Sequence, residues 1–134
     1  MDRTLAREIA MKRLYAQTVG GEDSLDGALE QSGAEESLTD EGRAFSEELY
    51  RGVLEHCDAI DEQVRTHTTG WSFDRIARVD LSILRLAVFE LLYRDDIPTG
   101  ASINEAVELG KRFGGEKSAG FINGVLGAVA KANP

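Results

Sequence analysis

Basic and aromatic side chains recur every four residues at the start of the chain. Arg3, Arg7, Met11 and Tyr15 form this row, which drifts slowly around one face because an α-helix has about 3.6 residues per turn. Two guanidiniums aligned with an aromatic ring suit phosphate contact and base stacking on single-stranded RNA. The same row also fits an ordinary polar margin in which Tyr15 closes the core. The spacing alone leaves both interpretations open.

The other reactive side chains give no catalytic or metal site. Cys57 is the sole cysteine, so the sequence offers no intramolecular disulfide and no cysteine-based zinc site. His56 and His67 fall with it in an amphipathic helical stretch, where no third group is apparent to orient a nucleophile and a base. Residues 110–118 are superficially similar to a phosphate-binding loop, yet Glu116 breaks the spacing and a helical stretch precedes them. From these residues we expect no catalytic site, no cofactor and no metal.

Two carboxylates, Asp80 and Glu90, interrupt the most hydrophobic stretch of the chain. No pair of carboxylates lies in surroundings apolar enough to indicate a tuned general acid. We expect both to have an ion-pair partner such as Arg85 or Arg94, or a solvent-facing position. For Asp80, contact with a protein partner is also open.

The formal net charge of −9, from 15 basic and 24 acidic residues, arises in one segment. Residues 22–48 hold ten acids and one base, whereas the rest of the chain has 14 of each. Residues 1–19 carry a local excess of two positive charges. Binding of nucleic-acid phosphates requires clustered lysine and arginine. The overall acidity therefore does not exclude RNA binding at the first helix.

The hydrophobic periodicity predicts an all-α fold of six or seven helices in a single domain that spans residues 1–134. The predicted helices cover residues 3–19, 24–32, 39–68, 76–94, 102–113 and a last segment from residue 116 or 117. Residues 39–68 form either one helix or two with a break near His56. Ser102 and Glu105 predict a capping box at the start of their helix. The sequence has neither a bilayer-spanning apolar stretch nor a secretory signal, so we expect a cytoplasmic location.

The last predicted helix carries three glycines, Gly120, Gly124 and Gly127. Glycine weakens a helix but lets another backbone approach closely. Such a surface serves internal packing and a homodimer equally well. The sequence leaves the oligomeric state open.

Four segments stand together in an order that one known family shares. They are residues 3–10 with 14–15, residues 79–91, residues 97–98 with 102–109 and 111–114, and residues 121–126. Together they cover essentially the whole chain, which resembles the NusB transcription antitermination factors. The resemblance implies two three-helix bundles packed together.

The resemblance also implies a bacterial factor without enzymatic activity. Such factors pair with NusE, which is also a ribosomal small-subunit protein, and the pair binds boxA RNA of nascent transcripts. The complex helps RNA polymerase to read through terminators, notably in ribosomal RNA operons. The alternative is a NusB-like helical adaptor or accessory domain of a ribosomal RNA methyltransferase system with little RNA binding of its own.

The resemblance implies roles for individual positions. The RNA-binding positions are Arg3, Arg7, Arg85 and Phe121, and the positions that face NusE are Tyr15 and Asp80. This chain departs from the family where Thr4 and Leu5 interrupt the run of arginines, and where Gly120 stands at a position that can be basic. We therefore expect modest RNA binding by the free chain, with NusE supplying much of the phosphate contact.

Overall fold

The computed structural model of the chain describes residues 2–20, 38–68 and 72–134. Within these described residues the fold is all-helical, as the periodicity predicts. The helices are α1 (Asp2–Val19), α2 (Asp40–Glu55), α3 (Cys57–His67), a 3₁₀-helix (Phe73–Arg75), α4 (Arg78–Tyr93), α5 (Thr99–Phe113) and α6 (Ser118–Ala132). The predicted short helix at residues 24–32 and most of the acidic segment lie outside the described residues.

Residues 39–68 form two helices. Thr39 caps the first of them, because its Oγ1 accepts a hydrogen bond from the Gly42 N–H at 3.1 Å. At His56 the backbone leaves helical geometry, with φ −113° and ψ 22°, and α3 begins at the next residue. The His56 ring stacks on Tyr93 of α4, with 4.0 Å between the ring centroids. The break lets α3 turn to pack against α4 and α6.

The capping box predicted at Ser102 is wrong. α5 begins at Thr99, so Ser102 already lies within the first helical turn, where it is buried. Its Oγ donates to the Oε1 atom of Glu90 at 2.8 Å. Glu105 accepts a hydrogen bond from Arg7 of α1 instead of reaching back along its own helix. These polar side chains join helices, because the buried carboxylate of Glu90 requires donors.

Helix α4 runs through the core and positions the others. Its inner side chains are fully buried, and α1, α2, α3, α5 and α6 all pack against it. The largest fully buried apolar side chains are Ile9, Leu49, Ile60, Ile83, Leu84, Leu86, Ile122 and Leu126. No helix in the part of the chain that the structure describes combines the length and apolar character needed to cross a bilayer.

Glycine permits close helix approaches at Gly52 and Gly110, but the three glycines of α6 face no neighbouring helix among the described residues. A Cβ on Gly52 of α2 would lie 2.2 Å from the Phe89 ring of α4, so only glycine fits there without a shift. A Cβ on Gly120, Gly124 or Gly127 would meet no atom of the described chain within 4 Å. Of the two uses that the sequence left open for these three glycines, internal packing finds no support among the described residues.

Candidate functional site

A surface pocket of about 460 Å³ lies between the start of α4 and the start of α6. Its polar lining residues are Arg75, Asp80, Lys117 and Ser118, and its larger apolar lining residues are Ile76 and Phe121. The pocket joins two residues for which the sequence predicted different ligands. Asp80 is a predicted NusE contact, and Phe121 is a predicted RNA contact.

Two tight turns bring the pocket together. Before α4, the 3₁₀-helix ends at Arg75, and the buried Ile76 that follows it leads to Asp80 in the first turn of α4. Before α6, the Gly115 N–H donates to Ser118 Oγ at 2.9 Å. A Cβ on Gly114 would lie 2.4 Å from that oxygen, so this turn requires glycine. The first turns of α4 and α6 therefore face the same space.

The sequence predicted either an ion-pair partner or a solvent-facing position for Asp80, and the structure shows neither among the described residues. Its side chain is buried, with 8% exposed, and its Oδ1 accepts no hydrogen bond from any described residue. Arg85 and Arg94, the expected partners, pair with Asp61 and Asp96 instead. A buried acceptor without a donor costs free energy of folding. This geometry favours the third interpretation, a contact with a group outside the chain.

The basic side chains on the rim of the pocket make no ion pair with a described carboxylate. Arg75 and Lys117 are exposed and have no ion pair with a described residue, and the same holds for Arg78 in the first turn of α4. Most basic side chains elsewhere in residues 2–20, 38–68 and 72–134 are paired with carboxylates. These cations were not among the candidate site residues predicted from the sequence. The available signal was a basic residue shortly before each of two helices.

Arg7 lies at the centre of a buried network. Its Nε and Nη2 atoms each donate to one carboxylate oxygen of Glu90 at 2.9 Å, and its side chain is 7% exposed. Its Nη1 reaches Glu105 at 3.3 Å. The partner of Glu90 is therefore Arg7, not Arg85 or Arg94. RNA contact by Arg7 stays a prediction, and its guanidinium is already engaged inside the protein.

The other predicted site residues lie outside the pocket. The Arg3 guanidinium stands 4.3 Å from the centroid of the Phe45 ring. Arg85 makes a bidentate ion pair with Asp61, with both distances 2.8 Å. Burial alone would lower the pKa of Arg85, but its hydrogen bond to Asp61 and the charge of that carboxylate raise it overall. Tyr15 is 37% exposed on α1.

The geometry of the remaining reactive groups does not suggest catalysis. Cys57 Sγ donates to Asp61 Oδ2 at 3.7 Å, and burial is the main cause that raises the pKa of the thiol. A raised pKa reduces the fraction of nucleophilic thiolate. Among the residues that the structure describes, no group of histidine, cysteine and carboxylate side chains could hold a metal ion.

The sequence is similar to proteins of one family along nearly its whole length. The model of the NusB family matches residues 4–131. The transcription antitermination protein NusB of Geotalea daltonii is 45% identical over 98% of this chain and 96% of that protein. The protein of the same name from Bacillus subtilis is 46% identical over 96% of this chain and 95% of its own length.

Solved structures show the same fold. T. maritima NusB is similar with a TM-score of 0.85 at 33% identity, covering 98% of this chain and 93% of that chain. A crystal structure of the antitermination factors NusB and NusE in complex with double-stranded RNA gives a TM-score of 0.84 at 28% identity. That match covers 98% of this chain and 97% of the other.

Proposed function

Because the chain belongs to the NusB family, we propose that it is a transcription antitermination factor that pairs with NusE and binds boxA RNA. Its RNA targets are nascent transcripts, especially those of ribosomal RNA operons, and it acts within the antitermination complex of RNA polymerase. It works in the cytoplasm as a single domain and without enzymatic activity. The observation that carries this proposal is the pocket that Asp80 and Phe121 share.

The pocket has the chemistry that single-stranded RNA requires. Phe121 is partly exposed at its edge, and an aromatic ring in that position can stack on an unpaired base. Arg75 and Lys117 lie on the same rim without a carboxylate partner among the described residues, so their charge is available for phosphates. Stacking and phosphate contact together support RNA binding at this surface.

The NusE contact uses Asp80 and Tyr15. Asp80 lines the pocket and its carboxylate has no ion-pair partner among the described residues, so its charge suits a lysine or arginine side chain of a basic partner. Tyr15 is partly exposed on α1, and tyrosine combines an apolar ring with a hydroxyl that suits protein interfaces. We assign both residues to the surface that meets NusE.

The arginines predicted to bind RNA divide into two groups. Arg3 has no carboxylate partner among the described residues, so it remains a candidate for direct phosphate contact. The ion pairs of Arg7 with Glu90 and of Arg85 with Asp61 support a positioning role, in which these arginines hold α1 and α3 against α4. We therefore expect substitutions of Arg7 or Arg85 to change RNA binding only because they destabilise the fold.

The pocket is tested by measuring the affinity of the complex with NusE for fluorescent boxA RNA. The double variant Arg75→Gln/Lys117→Gln should weaken RNA binding about tenfold, because two phosphate contacts are lost. Pairing with NusE should be unchanged. Lys131→Gln is the matched control, since it removes an exposed charge from the far end of α6, about 20 Å along the helix from Lys117.

Two results would contradict the proposal in different ways. If the complex binds boxA RNA no better than a scrambled RNA of equal length, the assigned function is wrong. If the double variant and Lys131→Gln bind RNA equally well, the function stands but the pocket is not the RNA surface.

A further inference from the structure

Basic side chains continue from the pocket onto a second surface at the end of α3. The Arg65 guanidinium lies 5.0 Å from the centroid of the Phe73 ring in the 3₁₀-helix. Phe73 packs against the core, so its ring is a fixed support for this guanidinium. Two residues after Phe73, Arg75 lines the pocket. The surface at the end of α3 therefore adjoins the pocket.

The packing of α3 on α4 adds Arg78 to this second surface. The contact between Arg65 and Phe73 places the end of α3 near the start of α4, where Arg78 is exposed. Arg78 stands two helical turns before Arg85, whose ion pair joins α4 to α3, so both arginines lie on the face of α4 that meets α3. We call this surface the α3 platform, and its members are Arg65, Phe73, Arg75 and Arg78.

The positive charges of the α3 platform are available to a ligand. Arg75 and Arg78 are exposed and make no ion pair with a described carboxylate. Arg65 pairs with Glu62, but the two side chains are 53% and 60% exposed, so water and salt weaken this pair. The exposed Asp74 reduces the local excess of positive charge without removing it. This situation differs from that of the buried ion pairs elsewhere in the fold.

The chemistry of the α3 platform suits single-stranded RNA. Unpaired bases stack on arginine guanidinium planes as they do on aromatic rings, and the exposed Arg65 is held by the Phe73 ring beside it. The neighbouring arginines supply charge for the phosphates. None of the large apolar side chains exposed in the described part of the chain belongs to the platform, whereas the core of a protein interface is apolar. These features favour RNA over a protein partner.

We infer that the α3 platform binds nucleotides that flank boxA in the same transcript. RNA that occupies the pocket passes Arg75 and continues to Arg78, and one flanking base stacks on Arg65. Because the flank is tethered to boxA, its binding is intramolecular and adds affinity even where the contact is weak by itself. The contact depends little on base identity, since every base has a face that can stack. This inference rests on the proposed function, because boxA must occupy the pocket.

The test measures how much the flanks add to affinity. Two fluorescent RNAs are bound to the complex with NusE: boxA alone, and boxA extended by about six unstructured nucleotides at each end. The wild type should bind the extended RNA about tenfold more tightly, because stacking and phosphate contacts are added. Arg65→Gln/Arg78→Gln should remove most of this gain and leave the affinity for boxA alone within about twofold. Arg65→Lys should lose part of the gain, because lysine keeps the charge but lacks the plane for stacking.

Arg51→Gln is the matched control. Like Arg65, Arg51 is an exposed arginine that pairs with a glutamate of its own helix, but it lies on α2 and outside the α3 platform. We expect this variant to bind both RNAs as the wild type does. Thermal unfolding followed by circular dichroism verifies that each variant is folded.

The possible results separate the inference from the proposed function. If the wild type binds boxA better than a scrambled RNA of equal length but gains nothing from the flanks, the inference is wrong and the function stands. The inference is also overturned if Arg65→Gln/Arg78→Gln keeps the gain, or if Arg51→Gln loses as much of it. If the wild type with NusE does not prefer boxA over scrambled RNA, the proposed function itself fails, and the inference fails with it.

Discussion

Arg7 and Glu90 form a buried bidentate ion pair that joins α1 to α4. Ser102 donates to the same carboxylate and Glu105 accepts from the same guanidinium, so α5 is tied to this pair as well. Removing two charges from water is costly, and the pair is tolerated because its hydrogen-bonding groups are well satisfied. The loss of one member leaves the other charge buried without compensation.

We expect Arg7→Met to lower the free energy of unfolding by about 3–5 kcal/mol, because Glu90 keeps only its bond from Ser102. Urea denaturation measures this loss. Lys111→Met is the control, since its pair with Glu108 is exposed and should contribute less than about 1 kcal/mol. Equal losses in the two variants would show that the buried pair does not hold the helices together.

At the scale of the helices, the crossing of α2 and α4 depends on Gly52. The Phe89 ring occupies the space that a side chain at this position would need. Beyond Phe89, the rings of Tyr93 and His56 continue the contact to the end of α2. This close approach positions α4, whose first turn carries Asp80, against the N-terminal helices.

Gly52→Ala should destabilise the protein by about 1–3 kcal/mol, because the added methyl group forces Phe89 to move within a packed core. Gly127→Ala should instead stabilise it by about 0.5–1 kcal/mol, since this exposed helical position has open space for a Cβ. Thermal and urea unfolding of both variants measure the difference. If both substitutions stabilise the chain, the contact between α2 and Phe89 is not tight.

At the scale of the whole molecule, overall charge and local charge act in opposite directions. The net charge of −9 repels RNA at long range, whereas the unneutralised cations at the pocket rim attract it at contact. At an ionic strength of about 0.1 M, charges more than roughly 10 Å apart are largely screened. We therefore expect contact cations to determine RNA affinity near physiological salt, and the remote acids to matter most at low salt.

The salt dependence of RNA binding should report these contacts. In the complex with NusE, Arg75→Gln and Lys117→Gln should each make the slope of log affinity against log salt shallower by about 0.7, the value for one phosphate contact on a single strand. Lys131→Gln should leave the slope unchanged. Fluorescence anisotropy between about 50 and 200 mM salt measures it. Unchanged slopes in the two pocket variants would show that Arg75 and Lys117 do not contact phosphates.

Helix content was predictable because its signal is local. An apolar side chain every three to four residues predicted the helices near residues 3–19 and 76–94, and the structure has α1 and α4 there. The start of α5 could not be predicted in this way. Ser102 and Glu105 have the spacing of a capping box, but their side chains bind residues of other helices. A local motif cannot reveal competition from a distant buried carboxylate.

The candidate site shows the same difference between what is local in the sequence and what depends on distant residues. The sequence by itself determined the all-α class and the family, and it singled out Asp80 and Phe121 as candidate site residues. Only the tertiary structure decided which charges the chain neutralises internally, because Arg7 and Glu90 are 83 residues apart and Arg85 and Asp61 are 24 apart. No spacing rule links residues so distant. The pairing that engages Arg7 and leaves Asp80 uncompensated arises only when the helices pack.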